Sequence, residues 1–238
     1  MAQPQSEPGE GVLASEGTRG RAVGIPPVFR YPKYRVYWFG FFLAVSGHQI
    51  FQFVQFLLMY ELTDSVVALG VLGAANAAPM ILLGVIGGVF ADGWEKRSLI
   101  ITTQGLSAAA VLLLALLTSN RLVEVWHVIG VAILVSSVGA FDAPARSAYY
   151  PLLVPASAMI SAVALNSTTW QSTRIVGPAV AGVIVGMVAN VALDGMAVAL
   201  YIASSGYVAM VVAVAWVRTS AVGQSKGNPV RNLRDGLM

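Results

Sequence analysis

Apolar residues fall into six long runs, at residues 37–60, 66–91, 98–118, 122–141, 159–189 and 194–217, with short polar stretches between them. An α-helix needs about 20 such residues to cross roughly 30 Å of hydrocarbon. Every run is long enough, so the pattern predicts six membrane-spanning helices. The fifth exceeds what a crossing requires, and its first turn or two is expected at the membrane surface. Residues 1–28 are rich in Gly, Pro, Ser and Glu and hold no apolar stretch, which reads as a disordered tail. They also lack the basic, apolar, small-residue order of a cleaved signal peptide. Phe29 to Trp38 mixes basic and aromatic residues, as expected where a helix passes the headgroup layer. The predicted organisation is a tail over 1–28, a six-span domain over 29–218 and a polar segment over 219–238.

Composition supports the same class. Of 238 residues, 57% are hydrophobic and 11% charged, where a soluble domain carries about 25% charged residues. Too few charges remain to coat a soluble core, and mean hydropathy is +0.74. The expected fold class is therefore an all-α integral membrane bundle. Cysteine is absent, which excludes disulfides, thiolate metal sites and cysteine nucleophiles. The two histidines, His48 and His127, lie in different runs, so no paired-histidine metal motif exists. No phosphate-binding loop ending in Gly-Lys-Ser/Thr is present, and no Ser-His-Asp set emerges from spacing. The chain is not expected to be an enzyme or to hold a cofactor or metal. Its net charge of +3 reads as basic loops, not nucleic-acid binding.

The placement of that charge predicts orientation. Arg19, Arg21, Arg30, Lys33, Arg35, Lys96, Arg97, Arg146, Arg218, Lys226, Arg231 and Arg234 fall on one side of the alternating loops. Arg121 alone falls on the other. Basic loops stay inside, so both termini are expected in the cytoplasm, which requires an even number of spans.

Polar residues inside the runs are candidate chemistry. His48, Gln52 and Gln55 are spaced i, i+4 and i+7 on one helix face, with Gln49 adjacent. They could line a substrate path, with His48 as proton carrier, or bond neighbouring helices. Arg174 lies deep in the fifth run, where insertion costs at least about 2.5–3.5 kcal/mol. Asn166, Ser167 and Gln171 accompany it. Arg174 could serve substrate or a proton relay, pair with helix carbonyls, or snorkel to the surface. In the second run Asn76 and Pro79 lie among Gly70, Gly73, Gly84, Gly87 and Gly88. These suggest a tightly packed, bendable helix, and Asn76 joins the candidate pathway. Asp142 and Arg146 are spaced to pair at i, i+4. No Asp or Glu falls deep within a run as bounded here, so a proton-carrying carboxylate is expected in a partner.

The stretch Gly87 to Arg97, GGVFADGWEKR, resembles the signature loop between the second and third helices of the major facilitator superfamily of membrane transporters. Gly88, Asp92 and the pair Lys96-Arg97 fit that signature. Residues 60–84, 140–155 and 164–182 extend the resemblance, which covers about 29–238 and is nearest the branch of the enterobactin exporter and related bacterial drug exporters. The resemblance implies one six-helix half of a transporter, built as a 3+3 inverted repeat. It implies secondary active efflux, coupled to protons, of a small amphipathic solute such as a siderophore or drug. It also implies a bacterial plasma-membrane location, and a second six-helix half from another chain or a homodimer. It makes Gly88, Asp92, Lys96, Arg97 and Arg146 a conformational latch; topology signal alone is the other reading of these charges. Gly177, Pro178 and Gly182 look like part of the packing motif in the fifth helix of antiporters. A truncated or regulatory membrane protein without transport of its own is the competing reading.

Overall fold

The computed structural model describes residues 27–188 and 192–217, without the side chains of 27, 85–93 and 192. The expected tails over 1–26 and 219–238, and the side chains of Gly88 and Asp92, thus lie outside the described residues. Six helices make up the chain between: α1 (Pro32–Thr63), α2 (Val66–Gly93), α3 (Lys96–Ser119), α4 (Val125–Tyr149), α5 (Met159–Met187) and α6 (Ala192–Trp216). Short 3-10 turns precede α1 and join α4 to α5. In lipid a helix satisfies its own backbone hydrogen bonds, which is why the apolar runs fold this way.

Local chemistry sets the helix ends. Pro32 opens α1, where its fixed φ suits the first turn. Asp64 ends α1 in the left-handed region at φ 47°, its N–H donating to the Tyr60 carbonyl at 2.8 Å. Arg121 makes the same kind of turn after α3, at φ 58°. Glu124 and His127 form a capping box at the start of α4: the Glu124 N–H donates to His127 Nδ1 at 3.1 Å. His127 is a capping residue.

One boundary differs from expectation. The fourth run was drawn to end at residue 141, but α4 continues to Tyr149. Asp142 therefore lies inside the helix and is buried. Two opposite charges one turn apart neutralise each other, and an apolar-run criterion stops too early when it meets them. The expectation that this half offers no deep carboxylate is corrected by Asp142.

Five of the helices are long and apolar enough to cross a membrane. α5 has the length, 29 residues, but the polar stretch from Asn166 to Arg174 dilutes its hydropathy. Part of that stretch is spent on α1: Trp38 Nε1 donates to Thr169 Oγ1 at 3.0 Å, and the Tyr34 hydroxyl donates to Asn166 Oδ1 at 3.0 Å.

Contacts at the helix ends show the alternation. Arg97, at the start of α3, meets Val214 and Ala215 at the end of α6. Tyr149, at the end of α4, donates to the Val217 carbonyl. Arg121, after α3, pairs with Asp194 at the start of α6 at 3.6 Å. The first and last described helices thus meet the same end of the bundle, called the terminal end below. The principal pairings are α1 with α6, α3 with α6, α2 with α4, α3 with α4 and α1 with α5. Exchanging α1–α3 for α4–α6 maps α1·α6 onto α4·α3, α2·α4 onto α5·α1, and α3·α6 onto itself. Corresponding helices run in opposite directions, so the halves form an inverted repeat.

Lipid is as apolar as leucine, so close packing holds such helices together. Three glycines let α1 and α6 approach closely. A Cβ on Gly47 would lie 2.5 Å from the Ala203 carbonyl oxygen, and one on Gly40 would lie 2.5 Å from Ala213 Cβ. Gly206 meets the Leu43 carbonyl in the same seam. The tight packing expected of the α2 glycines is absent at Gly70, Gly73 and Gly84, where a Cβ would meet nothing within 4 Å. Those glycines sit on a helix whose described length is mostly exposed.

The core has two layers. One gathers Phe51, Val54 and Leu58 with Val111, Leu114, Val128, Leu200 and Ala203. The other, toward the terminal end, gathers Tyr37, Phe41 and Val45 with Ile100, Ala145, Tyr149, Met210 and Val214. Between them every inner helix turns polar: His48 on α1, Gln104 and Ser107 on α3, Ser136 and Asp142 on α4.

Candidate functional site

That polar belt encloses a cavity of about 280 Å³. His48, Gln52, Asn76, Gln104, Ser107, Ser136, Asp142, Arg146, Trp170 and Tyr207 are among its walls. Unsatisfied polar groups in hydrocarbon cost several kcal/mol, so this concentration is held by bonds across the bundle. Asp142 Oδ1 accepts from Thr103 Oγ1 at 2.9 Å, and Oδ2 accepts from Gln104 Nε2 at 2.9 Å. Arg146 Nε lies 2.7 Å from Oδ2, an ion pair whose N–H is not aligned as a hydrogen bond. Arg146 also lies over the Phe41 ring, 5.5 Å from its centroid. His48 Nδ1 is 3.0 Å from the Tyr207 hydroxyl, and its ring stacks on Trp170 at 6.0 Å. Asn76 Oδ1 accepts from Ser136 at 3.2 Å and Gln55 at 3.4 Å, while its Nδ2 donates to the Leu72 carbonyl.

A second, wider cavity of about 560 Å³ opens between α1, α4 and α5. It shares Ala143, Arg146 and Trp170 with the first. Asn166, Ser167 and Gln171 line it from α5, Tyr37 and Phe41 from α1. Arg146 and Trp170 therefore form the partition between two chambers.

The candidate residues divide between the two chambers and their surroundings. His48, Gln52 and Asn76 reach the inner chamber, and Asn166 and Gln171 the outer one. Gln55 is fully buried behind Gln52 and bonds both it and Asn76. Gln49 packs against Gly177, whose missing Cβ lets α5 approach α1. Pro178 lies within the continuous helix α5. Gly182 faces open space, with nothing within 4 Å of a Cβ there. Five residues beyond Gly177, it has rotated to the other side of the helix. Arg174 is exposed and lines neither chamber. Arg146 sits inside α4 against Asp142.

Arg97 Nε donates to the Val214 carbonyl at 3.2 Å and Nη2 to the Ala215 carbonyl at 2.8 Å. It caps the last turn of α6, where unpaired carbonyls and the helix dipole favour a cation. Lys96 opens α3 beside it, half-buried. Arg97→Ala is expected to cost about 0.3–1 kcal/mol, read as a small drop in thermal unfolding temperature in detergent, with Arg97→Lys intermediate.

Sequence reasoning missed Gln104, Ser107, Ser136, Trp170, Tyr207 and the burial of Asp142. Gln104 and Ser107 are spaced i, i+3, the same signal that singled out His48 and Gln52. Tyr207 gave no such signal, because its hydroxyl becomes functional only through the neighbour it meets.

A polar chamber inside a membrane bundle is what a solute path requires, and the chain is similar in sequence to two known transport proteins. Macrolide efflux protein A of Streptococcus pyogenes is 26% identical over 153 residues, 64% of this chain and 38% of that protein. The staphyloferrin A transporter of Staphylococcus aureus is 30% identical over 144 residues, 60% of this chain and 36% of that protein. The chain thus matches little more than a third of the length of these curated relatives. A family model described as a transmembrane secretion effector matches residues 24–237. The match takes in all six helices and both polar chambers, and the protein therefore belongs to the transmembrane secretion effector family, within the major facilitator superfamily.

Proposed function

We propose that this chain forms one half of a secondary active exporter for a small amphipathic solute. The observation that carries the reading is the pair of adjacent polar chambers, the inner one walled by all six helices and the outer by α1, α4 and α5, set in an otherwise apolar bundle. Membrane transporters place binding sites near mid-bilayer, at the interface of repeats. Here α1 and α4, related by the inverted repeat, both wall the inner chamber. The relatives' named cargoes, a macrolide and a siderophore, indicate the size and mixed polarity of the solute.

A second six-helix unit completes the path. α2 and α5 flank the chambers and leave large apolar side chains outward, Ile81 at 72% and Ile175 at 78% exposure. Gly182 and Arg174 share that outer side of α5, where the second unit packs. Proton coupling runs through Asp142, the one carboxylate lining the chambers among the described residues. A proton on Asp142 would release Arg146, a switch between two arrangements of α4. Gly88, Asp92, Lys96 and Arg97 lie at the α2–α3 turn and act there as the latch between states.

Efflux from cells lacking their own exporters tests the reading. Cells making this chain with a second half should clear a macrolide or a siderophore, and cells making the chain alone should not. Clearance by the chain alone would point to a homodimer; no clearance in either case would leave a regulatory membrane protein. Orientation has its own check in this cysteine-free background. Glu61→Cys should react with an impermeant thiol reagent from outside, and Glu95→Cys only after permeabilisation. The reverse pattern would place the termini outside the cell.

A further inference from the structure

Within the outer chamber, one cationic side chain and two neutral donors together specify its ligand. Arg146 is the only formally charged residue on its walls among the described residues. Its Nε is committed to Asp142. The carboxylate also accepts from Thr103 on one oxygen and Gln104 on the other. The two Nη groups have no carboxylate or carbonyl partner among the described residues. The guanidinium lies over the Phe41 ring.

Two further donors converge from other helices. Tyr37 is fully buried and its hydroxyl has no partner, although it lines the chamber. A buried hydroxyl left unpaired costs about 1–3 kcal/mol, a cost that a ligand acceptor would remove. Asn166 is oriented by Tyr34, whose hydroxyl donates to Oδ1. That leaves the Asn166 Nδ2 as a donor for the chamber. The rest of the wall mixes the rings of Tyr150 and Trp170 with the neutral polar side chains of Ser147, Ser167 and Gln171.

We propose that this chamber binds the carboxylate of an amphipathic organic acid, whose oxygens accept from Arg146 Nη, Tyr37 Oη and Asn166 Nδ2 while its apolar body lies against Trp170 and Tyr150. Planar guanidinium forks match carboxylates, and an aromatic wall takes the apolar portion. The proposal rests on the transport reading above for calling this ligand a cargo. An amine would find only neutral acceptors on these walls, such as the oxygens of Gln171 and Ser167, and no carboxylate among the described residues.

Equilibrium binding to the purified full chain in lipid nanodiscs tests it, with radiolabelled 1-naphthylacetate against neutral 1-naphthylacetamide. The acid should bind about tenfold more tightly, or better, as expected for a charge-assisted pair. Arg146→Gln should erase that preference, and Arg121→Gln at the far end should keep it. Tyr37→Phe removes a hydroxyl that bonds nothing in the free protein, so it should fold normally. It should weaken the acid about threefold or more and leave the amide unchanged. This variant decides the matter if Arg146→Gln fails to fold. Equal binding of acid and amide, or a preference untouched by Tyr37→Phe, would overturn the proposal. Selective binding without efflux in cells removes only the transport reading, and efflux without acid preference removes only this subsite.

Discussion

Asp142→Ala should destabilise the protein by about 3–5 kcal/mol, because it leaves the Arg146 guanidinium buried without its counter-charge. The pair is well sequestered, with 15% of the Arg146 side chain and 5% of the Asp142 side chain exposed. The substitution also strands Thr103 Oγ1 and Gln104 Nε2, which donate to the two carboxylate oxygens. Asp142→Asn should be only partly protective: its amide presents a donor to Gln104 or Arg146, where an acceptor is required. The double change Asp142→Leu with Arg146→Met should recover most of the stability, since an apolar pair replaces a desolvated ionic one. It should not recover efflux. Thermal and denaturant unfolding in detergent, beside an efflux assay, separates the two effects. A single Asp142→Ala variant as stable as the parent would show that the Thr103 and Gln104 bonds to this carboxylate do not hold α3 to α4.

The second large effect is expected at Gly47. A side chain there meets the Ala203 carbonyl, and neither backbone can yield without moving α1 away from α6. Gly47→Val should cost about 1–3 kcal/mol or more by overpacking. It should also disturb the His48–Tyr207 bond one residue along, which spans the same two helices. Gly73→Ala is the contrasting substitution. Open space surrounds it, and replacing a mid-helix glycine by alanine gains about 0.5–1 kcal/mol. The two variants should therefore shift unfolding temperature in opposite directions. Equal shifts would mean that the α1–α6 seam does not carry the packing described.

Both predictions bear on how much was legible beforehand. The six runs anticipated the six helices to within a few residues at most ends, because apolar length is a local property. The exception, α4, continued through Asp142 and Arg146. Their charges disqualified the segment residue by residue, while their pairing made it helical. Of the two glycines expected in the α5 packing motif, Gly177 meets Gln49 and Gly182 meets nothing within 4 Å. The two look alike in sequence and differ only in which side of α5 they occupy. His48 and Gln52 reached the inner chamber, whereas Gln55, one turn further on, was drawn behind it by Asn76. Arg174 stood out as the deepest cation in the sequence, yet Arg146, closer to a helix end, is the one lining both chambers.

The amino-acid sequence by itself determined that this is a membrane bundle of six helices, where each helix but α4 begins and ends to within a turn or two, and which family it joins. Length and hydrophobicity suffice for that, because in lipid each helix must close its own hydrogen bonds regardless of its neighbours. The tertiary structure alone decided which polar groups share a chamber, which glycines touch a neighbour and which charges face each other. Those outcomes depend on the rotation of every helix about its own axis. Rotation is settled by packing between segments far apart in the chain, such as Gly47 against Ala203 and Thr103 against Asp142.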